Sequence, residues 1–381
     1  MADILPGLVE LRHALHRIPE THNEERETAA LVRRALEGAH LEIAPPLMGT
    51  DTVGLLRGGD GPCVLLRSDI DALPVTDRSG TAWSSQRPGR SHACGHDGHM
   101  AVLVGVARVL DGLRDRLGGS VRFVFQPAEE EACGGKVLIQ RGLLDLDPRP
   151  RMAFALHGWV GVPVGSVACA PGPAMAAADT FVIRVRGRGG HAAIPQRAAD
   201  PVLAAAQVVV ALQTVVSRGT DPLEPVVLSI CRIEGGHTSN VIPDVVELEG
   251  TTRYFNRNLE VVLRDRIRRT VDGVCAAAGC TAELVYEDGY VPLVNDAAAV
   301  DAARATVTRL LGPAAWIDDQ PPTMGAEDFA FYLEKVPGAL LRLGVGEEWP
   351  PLHSAEFDFN DRAIETGVMA LAGIALDLCA R

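Results

Sequence analysis

The sequence predicts an α/β protein, in which a mostly parallel sheet covered by helices forms the larger domain and an α+β, ferredoxin-like domain is inserted as a lid. Two observations support this architecture. Strand and helix patterns alternate at both ends of the chain, whereas the middle follows the order β-α-β-β-α-β. With 381 residues, 47% of them hydrophobic, the chain is long enough for more than one domain. We place the larger domain at 1–173 and 293–381 and the lid at 174–292.

The first part of the chain has a helix pattern at 23–38 and apolar runs typical of buried strands at 63–67, 120–126 and 152–156. A second helix pattern follows Asp97, which stands where an N-cap is expected. The apolar residues of this helix recur at intervals of three and four and form one face. They are Val102, Leu103, Val106, Val109, Leu110, Leu113 and Leu117.

The middle of the chain has a different pattern. Phe181, Ile183 and Val185 occupy alternate positions, as expected for a strand with one buried face. The elements predicted next are a helix after Asp200, strands at 225–233 and 244–254, a helix from about Leu259 to Ala278 and a strand at 281–287. The α/β pattern then resumes with a helix at 297–311, a strand at 339–345 and a helix from Arg362.

Composition and charge exclude several classes of function. The net charge of −13 makes nucleic acid and anionic membrane surfaces poor partners. No apolar stretch is long enough to span a bilayer, and charged residues interrupt the N-terminal region where a secretory signal would be apolar, so we expect a cytoplasmic protein. Lys136 and Lys335 stand in no phosphate-binding loop, and no G-x-S-x-G nucleophile motif occurs. The eight cysteines are scattered, which favours reduced thiols over a disulfide scaffold.

The densest polar cluster is HACGHDGH at 92–99, which lies after a predicted strand, where open parallel sheets bind ligands. Such side chains are costly to bury without partners. Cys94 and His96, two residues apart, could point the same way from a loop and bind one metal ion. A polar loop in which Asp97 caps the following helix is the alternative.

Glu129 and Glu130 follow the predicted strand that ends in FVFQP. A solvated surface is the usual interpretation of an acidic run after a strand. Pro127 and the buried strand before it raise another possibility, in which one carboxylate binds a metal ion and its neighbour acts as general base. We assign Glu131 to solvent.

His157 ends an apolar strand and His353 lies far along the chain in LHS. Taken alone, each is as well explained by a histidine with an ordinary structural role. Together with Cys94, His96 and Glu130 they give five potential ligands, more than the four that a tetrahedral zinc ion takes. A site for two metal ions that share a bridging group fits this set better.

The predicted lid carries its own polar residues. His191 follows two glycines at the end of the first lid strand, Asn240 lies in SNVIPD, and Arg253 ends the strand GTTR. A histidine paired with an amide could donate hydrogen bonds to an oxyanion, and the guanidinium suits a substrate carboxylate. Spacing alone favours a glycine-rich hairpin with a surface histidine.

Seven motifs in this order resemble the amidohydrolase branch of the aminoacylase/carboxypeptidase metallopeptidase family: RSDIDALP, HACGHDGHM, FQPAEE, GGHAAIP, NVIPD, EDF and LHSAEFDFND. That branch includes hippurate hydrolases, auxin–amino-acid conjugate hydrolases and N-acyl-amino-acid deacylases. HRIPETHNEE resembles its N-terminal signature, so the resemblance extends from about Leu11 to Asp361.

The resemblance implies an enzyme that hydrolyses the amide bond of small N-acyl amino acids with two divalent metal ions per chain. Zinc or manganese is expected, and cobalt or nickel also suits such ligands. In many relatives the lid mediates dimerisation and its histidine can reach the partner's active site, so we expect a homodimer or higher homo-oligomer. The implied roles are metal ligation by Cys94, His96, Glu130, His157 and His353, general-base catalysis by Glu129, oxyanion stabilisation by His191 and Asn240, and carboxylate binding by Arg253.

Two positions depart from the family pattern. The segment Gly158-Trp159-Val160 replaces the usual valine–tryptophan–proline, and Thr21 stands where leucine is usual, but neither is a proposed ligand. A dipeptidase or carboxypeptidase on the same scaffold is the enzymatic alternative. A binding module that has lost catalysis is the non-enzymatic alternative, which the presence of both glutamates and every ligand disfavours.

Overall fold

A computed structural model describes residues 1–380, with the backbone alone at Asp288. The chain divides into two compact units. The first comprises Met1–Ala174, Val294–Pro321 and Glu327–Arg381, and the second comprises Met175–Leu293 and Pro322–Ala326. Within residues 1–380, no helix combines the length and the hydrophobicity that a membrane span requires.

The predicted strand at 120–126 and helix at 297–311 coincide with elements of the structure, β4 and α8 below. The helices are α1 (Leu5–His16), α2 (Arg26–Leu36), α3 (His96–Gly112), α4 (Glu129–Ala132), α5 (Gly134–Gln140), α6 (Pro201–Ser217), α7 (Leu259–Ala277), α8 (Ala297–Leu311), α9 (Ala330–Leu333) and α10 (Ala363–Leu378). The strands are β1 (Leu41–Ile43), β2 (Thr52–Arg57), β3 (Cys63–Asp69), β4 (Ser120–Gln126), β5 (Pro150–Val160), β6 (Val167–Ala168), β7 (Gly172–Met175), β8 (Ala177–Arg186), β9 (Gly190–His191), β10 (Val226–Glu234), β11 (Val241–Ile242), β12 (Val245–Tyr254), β13 (Thr281–Tyr290), β14 (Leu293–Asn295), β15 (Trp316–Ile317) and β16 (Gly338–Gly346).

The first unit is built on an eight-stranded sheet with the order β1-β2-β4-β3-β5-β16-β6-β15. Its centre is parallel, because β3 pairs in parallel with β4 and β5, and β5 pairs in parallel with β16. Antiparallel pairing occurs outside this centre, at β1, β2 and β6. Every residue of β3 and β4 is buried, as expected of strands covered on both faces. The predicted α/β class with a mostly parallel sheet is confirmed.

Helix α3 is held by packing on several sides. It contacts α1, α2 and α10, and all of these helices contribute to the core of the first unit. Gly105 of α3 permits close approach of the neighbouring helices, because a Cβ at this position would overlap Leu8 of α1 and Val368 of α10. The helix that begins in the HACGHDGH motif therefore has a fixed position within its unit.

The start of α3 differs from the prediction. Gly95, with a φ of +82°, occupies the N-cap position, and Asp97 lies in the first helical turn. The buried Asp97 carboxylate accepts a hydrogen bond from Nδ1 of His16 at 2.8 Å. The prediction that Asp97 caps the helix is wrong, because its carboxylate is committed to side chains of α1.

The parallel strands bring polar residues to one edge of the sheet. Strand β3 ends at Asp69, β4 ends at Gln126, and His157 lies near the end of β5. The carboxyl ends of parallel strands meet at the same edge, where open α/β sheets bind their ligands. After β4 the chain turns through Ala128, whose φ is +59°, and α4 begins at Glu129.

The second unit contains an antiparallel sheet with the order β10-β12-β8-β13. Helices α6 and α7 pack on this sheet, and the alternating residues Phe181, Ile183 and Val185 of β8 are fully buried in the shared core. Oδ1 of Asp200 caps α6 by accepting a hydrogen bond from the N–H of Val202 at 2.9 Å. The order β8-α6-β10-β12-α7-β13 confirms the predicted ferredoxin-like α+β arrangement.

Candidate active site

The predicted metal ligands of the first unit converge on Cys94. Its Sγ lies 3.3 Å from Nε2 of His157 and 3.3 Å from Nε2 of His353. Oε1 of Glu130 lies 3.5 Å from Nε2 of His353 and 3.8 Å from Nε2 of His96. The five side chains therefore present one sulfur, three nitrogens and one oxygen atom to a common space.

Two left-handed backbone positions shape the segments that carry these ligands. Gly95, between Cys94 and His96, has a φ of +82°, a conformation that costs glycine little. His353 also has a positive φ, +65°, and its backbone N–H donates to the carbonyl of Ala93 at 2.8 Å. A main-chain hydrogen bond thus joins the two segments directly beside their ligands.

Hydrogen bonds to backbone carbonyl groups fix the tautomers of two histidines. Nδ1 of His96 lies 2.9 Å from the carbonyl oxygen of Asp71, and Nδ1 of His157 lies 2.8 Å from that of Gly158. Because a carbonyl oxygen can only accept, each Nδ1 must carry the proton. In the neutral ring, Nε2 then keeps its lone pair and is free to bind a metal ion, which is the usual arrangement of metal-binding histidines.

His99 belongs to the same motif but is not available as a ligand. Its Nδ1 donates to Oδ1 of Asp69 at 2.7 Å, and its Nε2 accepts a hydrogen bond from the N–H of Gly158 at 2.7 Å. Both ring nitrogens are therefore engaged.

The residues present fit a binuclear metal site. Nε2 of His96 and Oε1 of Glu130 are buried without a hydrogen-bond partner among the described residues, although buried polar atoms are rarely left unpaired. The candidate ligand atoms form two groups, each with all of its atoms within 4.8 Å of one another. One group is Cys94, His96 and His157, and the other is Cys94, Glu130 and His353. Because Cys94 belongs to both groups, the donor set fits two ions that share this residue.

Glu129 lies beside this donor set. It is 6% exposed, and its Oε1 accepts a hydrogen bond from the N–H of Asp328 at 3.4 Å. It also falls within 4.8 Å of the ligand atoms of His96 and Glu130. Burial, followed by the negative charges of Glu327 and Glu130, raises the pKa of Glu129 well above its usual range. A carboxyl group in such a position is suited to exchange a proton with a reacting molecule.

The electrostatics of the cluster favour added cations. Burial lowers the pKa of His96, but the surrounding carboxylates, Asp69 foremost, outweigh burial and raise it to about 10. Burial raises the pKa of Glu130 to about 7 despite the opposing effect of His96. Burial and then Glu130 raise the pKa of the Cys94 thiol. Divalent ions would stabilise the ionised carboxylate of Glu130 and the ionised thiolate of Cys94.

Several residues that support the site were not predicted from the sequence. Oδ2 of Asp71 accepts a hydrogen bond from the N–H of Glu130 at 3.0 Å. The backbone carbonyl of Asp71 also accepts the hydrogen bond from His96. Arg67, fully buried on β3, donates to Oδ1 of Asp328 at 2.6 Å. The available signal was a set of charged residues at the end of an otherwise apolar strand, in RSDIDALP, and in the EDF motif.

His191 and Asn240 lie on neighbouring segments within the second unit. His191 on β9 stands opposite Val241 on β11, and the carbonyl of Asn240 accepts a hydrogen bond from the N–H of Ala192 at 3.0 Å. Nδ1 of His191 accepts a hydrogen bond from the N–H of Ala193 at 3.0 Å. This bond places the proton of the neutral ring on Nε2, which is then a hydrogen-bond donor.

Arg253 is half-buried on β12 of the second unit. Its guanidinium contacts the hydroxyl of Thr251 and donates to the carbonyl of Thr252 at 3.1 Å. Burial lowers the pKa of Arg253. Among the described side chains, none of the ion pairs involves Arg253, and the negative charge of Asp179 partly offsets the effect of burial on its pKa.

The chain matches the model of Peptidase family M20/M25/M40 over residues 65–377. It is 37% identical over 374 residues to N-acetylcysteine deacetylase of Bacillus subtilis (strain 168), covering 97% of this chain and 96% of that protein. It is 35% identical over 383 residues to IAA-amino acid hydrolase ILR1-like 2 of Arabidopsis thaliana, covering 98% of this chain and 85% of that protein.

A solved structure gives the same result. The fold is similar to that of the Bacillus subtilis YXEP protein, described as a dinuclear metal binding peptidase from the M20 family, with a TM-score of 0.87 and 32% identity. The match covers 100% of this chain and 99% of that chain. The predicted family and the predicted enzyme class are therefore confirmed. This chain belongs to Peptidase family M20/M25/M40 and is a hydrolase of its amidohydrolase branch.

Proposed function

We propose that this chain hydrolyses the amide bond of N-acyl amino acids and releases a carboxylic acid and a free amino acid. The observation that carries the proposal is the convergence of five donor groups around Cys94, with the buried carboxyl group of Glu129 beside them. Two relatives that match nearly the whole chain support it, since one is named for deacetylation of N-acetylcysteine and the other for hydrolysis of IAA-amino acids.

Two divalent ions would be held by Cys94, His96, Glu130, His157 and His353. When bound, the ions supply Lewis acidity, which polarises a carbonyl group and makes water more acidic. Thiolate and imidazole ligands suit zinc, and the mixed sulfur, nitrogen and oxygen set also suits manganese, cobalt or nickel. The identity of the metal stays a prediction.

Glu129 moves the proton in the proposed reaction. It takes a proton from the water that attacks the scissile carbonyl and returns it to the leaving amine, so that the tetrahedral intermediate collapses to an acid and an amine. The carboxyl group of Glu129 holds the proton between the two steps. Because water is the nucleophile, no covalent acyl-enzyme forms.

Residues of the second unit complete the proposal. His191 and Asn240 donate hydrogen bonds to the carbonyl oxygen as its negative charge develops, and Arg253 binds the substrate carboxylate. The Nε2–H of His191 and the guanidinium of Arg253 have the chemistry that these roles need. A homodimer or higher oligomer formed through this unit stays a prediction, as does a cytoplasmic location. His191 would act either in the site of its own chain or in that of the partner.

A substrate panel tests the proposed function. Acetyl-, benzoyl- and indoleacetyl-amino acids are compared with the matching free dipeptides after reconstitution with each candidate metal and measurement of metal content. We expect hydrolysis of N-acyl substrates at two metal ions per chain. The second candidate function is that of a dipeptidase or carboxypeptidase, which the description of the YXEP protein as a peptidase supports. A preference for free dipeptides would favour this alternative. Full activity at one ion per chain would contradict the binuclear site.

A further inference from the structure

The N-terminal motif HRIPETHNEE has no part in the chemistry above, yet α1 buries two basic side chains at and just before this motif. Arg12 and His16 are both 0% exposed. A buried cationic group is stable only when it is paired and hydrogen-bonded. The partners of these two residues therefore indicate what they do.

Arg12 and His16 contact two segments of the first unit, and each of these segments carries candidate metal ligands. Residues 92–99 carry Cys94 and His96, and we call them the first ligand segment. Residues 353–361 begin with His353, and we call them the second ligand segment. The two segments are far apart in sequence, so their relative position depends on tertiary contacts.

The guanidinium of Arg12 contacts both ligand segments. Its Nη1 lies 3.5 Å from Oδ2 of Asp97 in the first segment and 2.5 Å from Oδ1 of Asp358 in the second. Its Nε donates to Oδ1 of Asp361, also in the second segment, at 2.8 Å. A planar guanidinium with several donors has a fixed geometry. One buried side chain of α1 therefore sets the distance between three carboxylates on two segments.

His16 ties the first ligand segment to a further part of the chain. Its Nδ1 donates to Oδ2 of Asp97 at 2.8 Å, and its Nε2 lies 3.3 Å from Oδ2 of Asp77. Asp77 in turn accepts hydrogen bonds from the N–H groups of Ser79 at 2.8 Å and Ser85 at 2.6 Å. The Asp97 carboxylate, one residue after His96, is thus held by two cationic side chains of the same helix.

Aromatic packing joins the same two segments. Phe359 of the second ligand segment lies against Gly95 and Gly98 of the first, where a Cβ at Gly98 would overlap its ring and a Cβ at Gly95 would lie 3.0 Å from it. The glycines allow this close approach because they have no side chain. Close packing of this kind leaves little freedom for the segments to move relative to each other.

We propose that Arg12 and His16 are positioning residues of the metal centre, which hold the first ligand segment in register with the second so that Cys94 and His353 stay together. This inference rests on the metal centre of the proposed function. Arg12 and His16 act through Asp97, and Arg12 also acts through the carboxylates of the second segment. They support ligands in the way that outer hydrogen-bond partners support metal-binding histidines.

Chelator-driven release of metal from the holoenzyme tests this role. We expect Arg12→Met to release metal about ten-fold faster or more, the range seen when outer partners of metal ligands are removed. Arg12→Lys should give an intermediate rate, because lysine keeps the charge but not the planar fork. Arg122→Met is the matched control, since Arg122 is a buried arginine of the same unit whose guanidinium bonds the carbonyl groups of Leu143, Leu146 and Asp147.

Equal acceleration in Arg12→Met and Arg122→Met would reflect a general loss of stability and would overturn the proposal. If Arg12→Met does not fold, Asp361→Asn is compared with Asp377→Asn. These carboxylates are 27% and 42% exposed, and Asp377 contacts Arg309 and Thr306 instead of α1. Faster release from the Asp361 variant alone supports the proposal, and equal rates overturn it.

The experiment also separates this inference from the proposed function. A wild-type chain that binds no divalent ion would overturn the metal centre and, with it, the positioning role. A wild-type chain that binds metal but releases it at the same rate as the Arg12 variants would overturn the positioning role alone.

Discussion

The metal centre of the first unit and the polar residues of the second unit are held in different ways. His96 and His157 are buried, and each has its second ring nitrogen bonded to a carbonyl group. His191 and Asn240 are exposed, and the polar contacts of the His191 ring come from its own turn. Atoms that must meet at fixed distances are thus fixed by burial and second partners. The exposed residues His191 and Asn240, for which we propose substrate-binding roles, are open to solvent.

This comparison predicts two kinds of mutational effect. Changes in the first unit should alter metal content or the rate of the chemical step for every substrate. Changes in the second unit should depend on which substrate is present. The predictions below test this division, beginning with the largest effect.

The largest effect is expected for Glu129→Gln. Removal of a general base costs about 10²–10⁴-fold in rate, so kcat should fall by that factor while metal content stays near that of the wild type. Glu130→Gln should instead lose metal together with activity, because it removes an oxygen donor from the cluster. Steady-state kinetics and elemental analysis on both variants check this.

The two glutamates serve as controls for each other. Loss of metal from the Glu129 variant, with retention in the Glu130 variant, would mean that the assigned roles are exchanged. Retention of metal and of most activity in both would make the run a solvated surface, the alternative interpretation of the sequence.

Part of the candidate metal site could be predicted from the sequence, because residues that are costly to bury stand close together at 92–99. Cys94 and His96 are the clearest case. The sheet was predictable for a different reason, since β3 and β4 contain short apolar runs and are buried along their whole length. Local composition is sufficient for these two features, whereas the full set of candidate ligands was implied by the resemblance to the family.

Helix α1 and its role could not be predicted in this way. The buried residues of α1 are Leu8, Arg12, Leu15 and His16, so half of its buried face is polar. Hydrophobic periodicity therefore does not predict this buried face. The partner of Arg12 at Asp358 lies 346 residues away in sequence. A buried ion pair between such distant positions leaves no local pattern, and only the three-dimensional structure places the two charges together.

The next largest effect is expected for Arg253→Ala and depends on the substrate. A hydrogen-bonded interaction with a charged group is worth roughly 1.5–3 kcal/mol, so kcat/KM for N-acyl amino acids should fall by about 10–100-fold. The corresponding amides and esters lack the carboxylate and should lose much less. Equal losses for both classes, measured in parallel, would assign Arg253 a structural role.

A smaller signal is expected from mixing two inactive chains, His191→Ala and Glu129→Gln. If His191 acts in the partner's site of a two-fold dimer, each heterodimer has one complete site, and random mixing restores about a quarter of wild-type activity. Size-exclusion and tagged pull-down controls establish that heterodimers form. Heterodimers without activity would place His191 in the site of its own chain.

The smallest effect concerns stability and tests how α1 is held. Burial lowers the pKa of His16, but Asp97, Asp77 and Asp358 raise it overall to about 9. Arg12 adds positive charge beside the same carboxylates, and burial lowers the pKa of nearby His92 to about 4, so His92 is neutral. His16 is therefore protonated in the folded chain at neutral pH.

Because the pKa of His16 is higher in the folded chain than the value of 6.5 for the free side chain, protonation favours folding. The stabilisation is complete below about pH 6.5, is lost as the pH rises through about 9, and is at most of order 3 kcal/mol. His16→Gln does not titrate, so the difference in thermal midpoint between the metal-free wild type and this variant should shrink as the pH rises through that window. His96, whose pKa is also raised, titrates in both proteins and cancels in the difference. A difference that stays constant would mean that His16 is neutral, and the pairing of α1 with the first ligand segment would then depend on the charge of Arg12 alone.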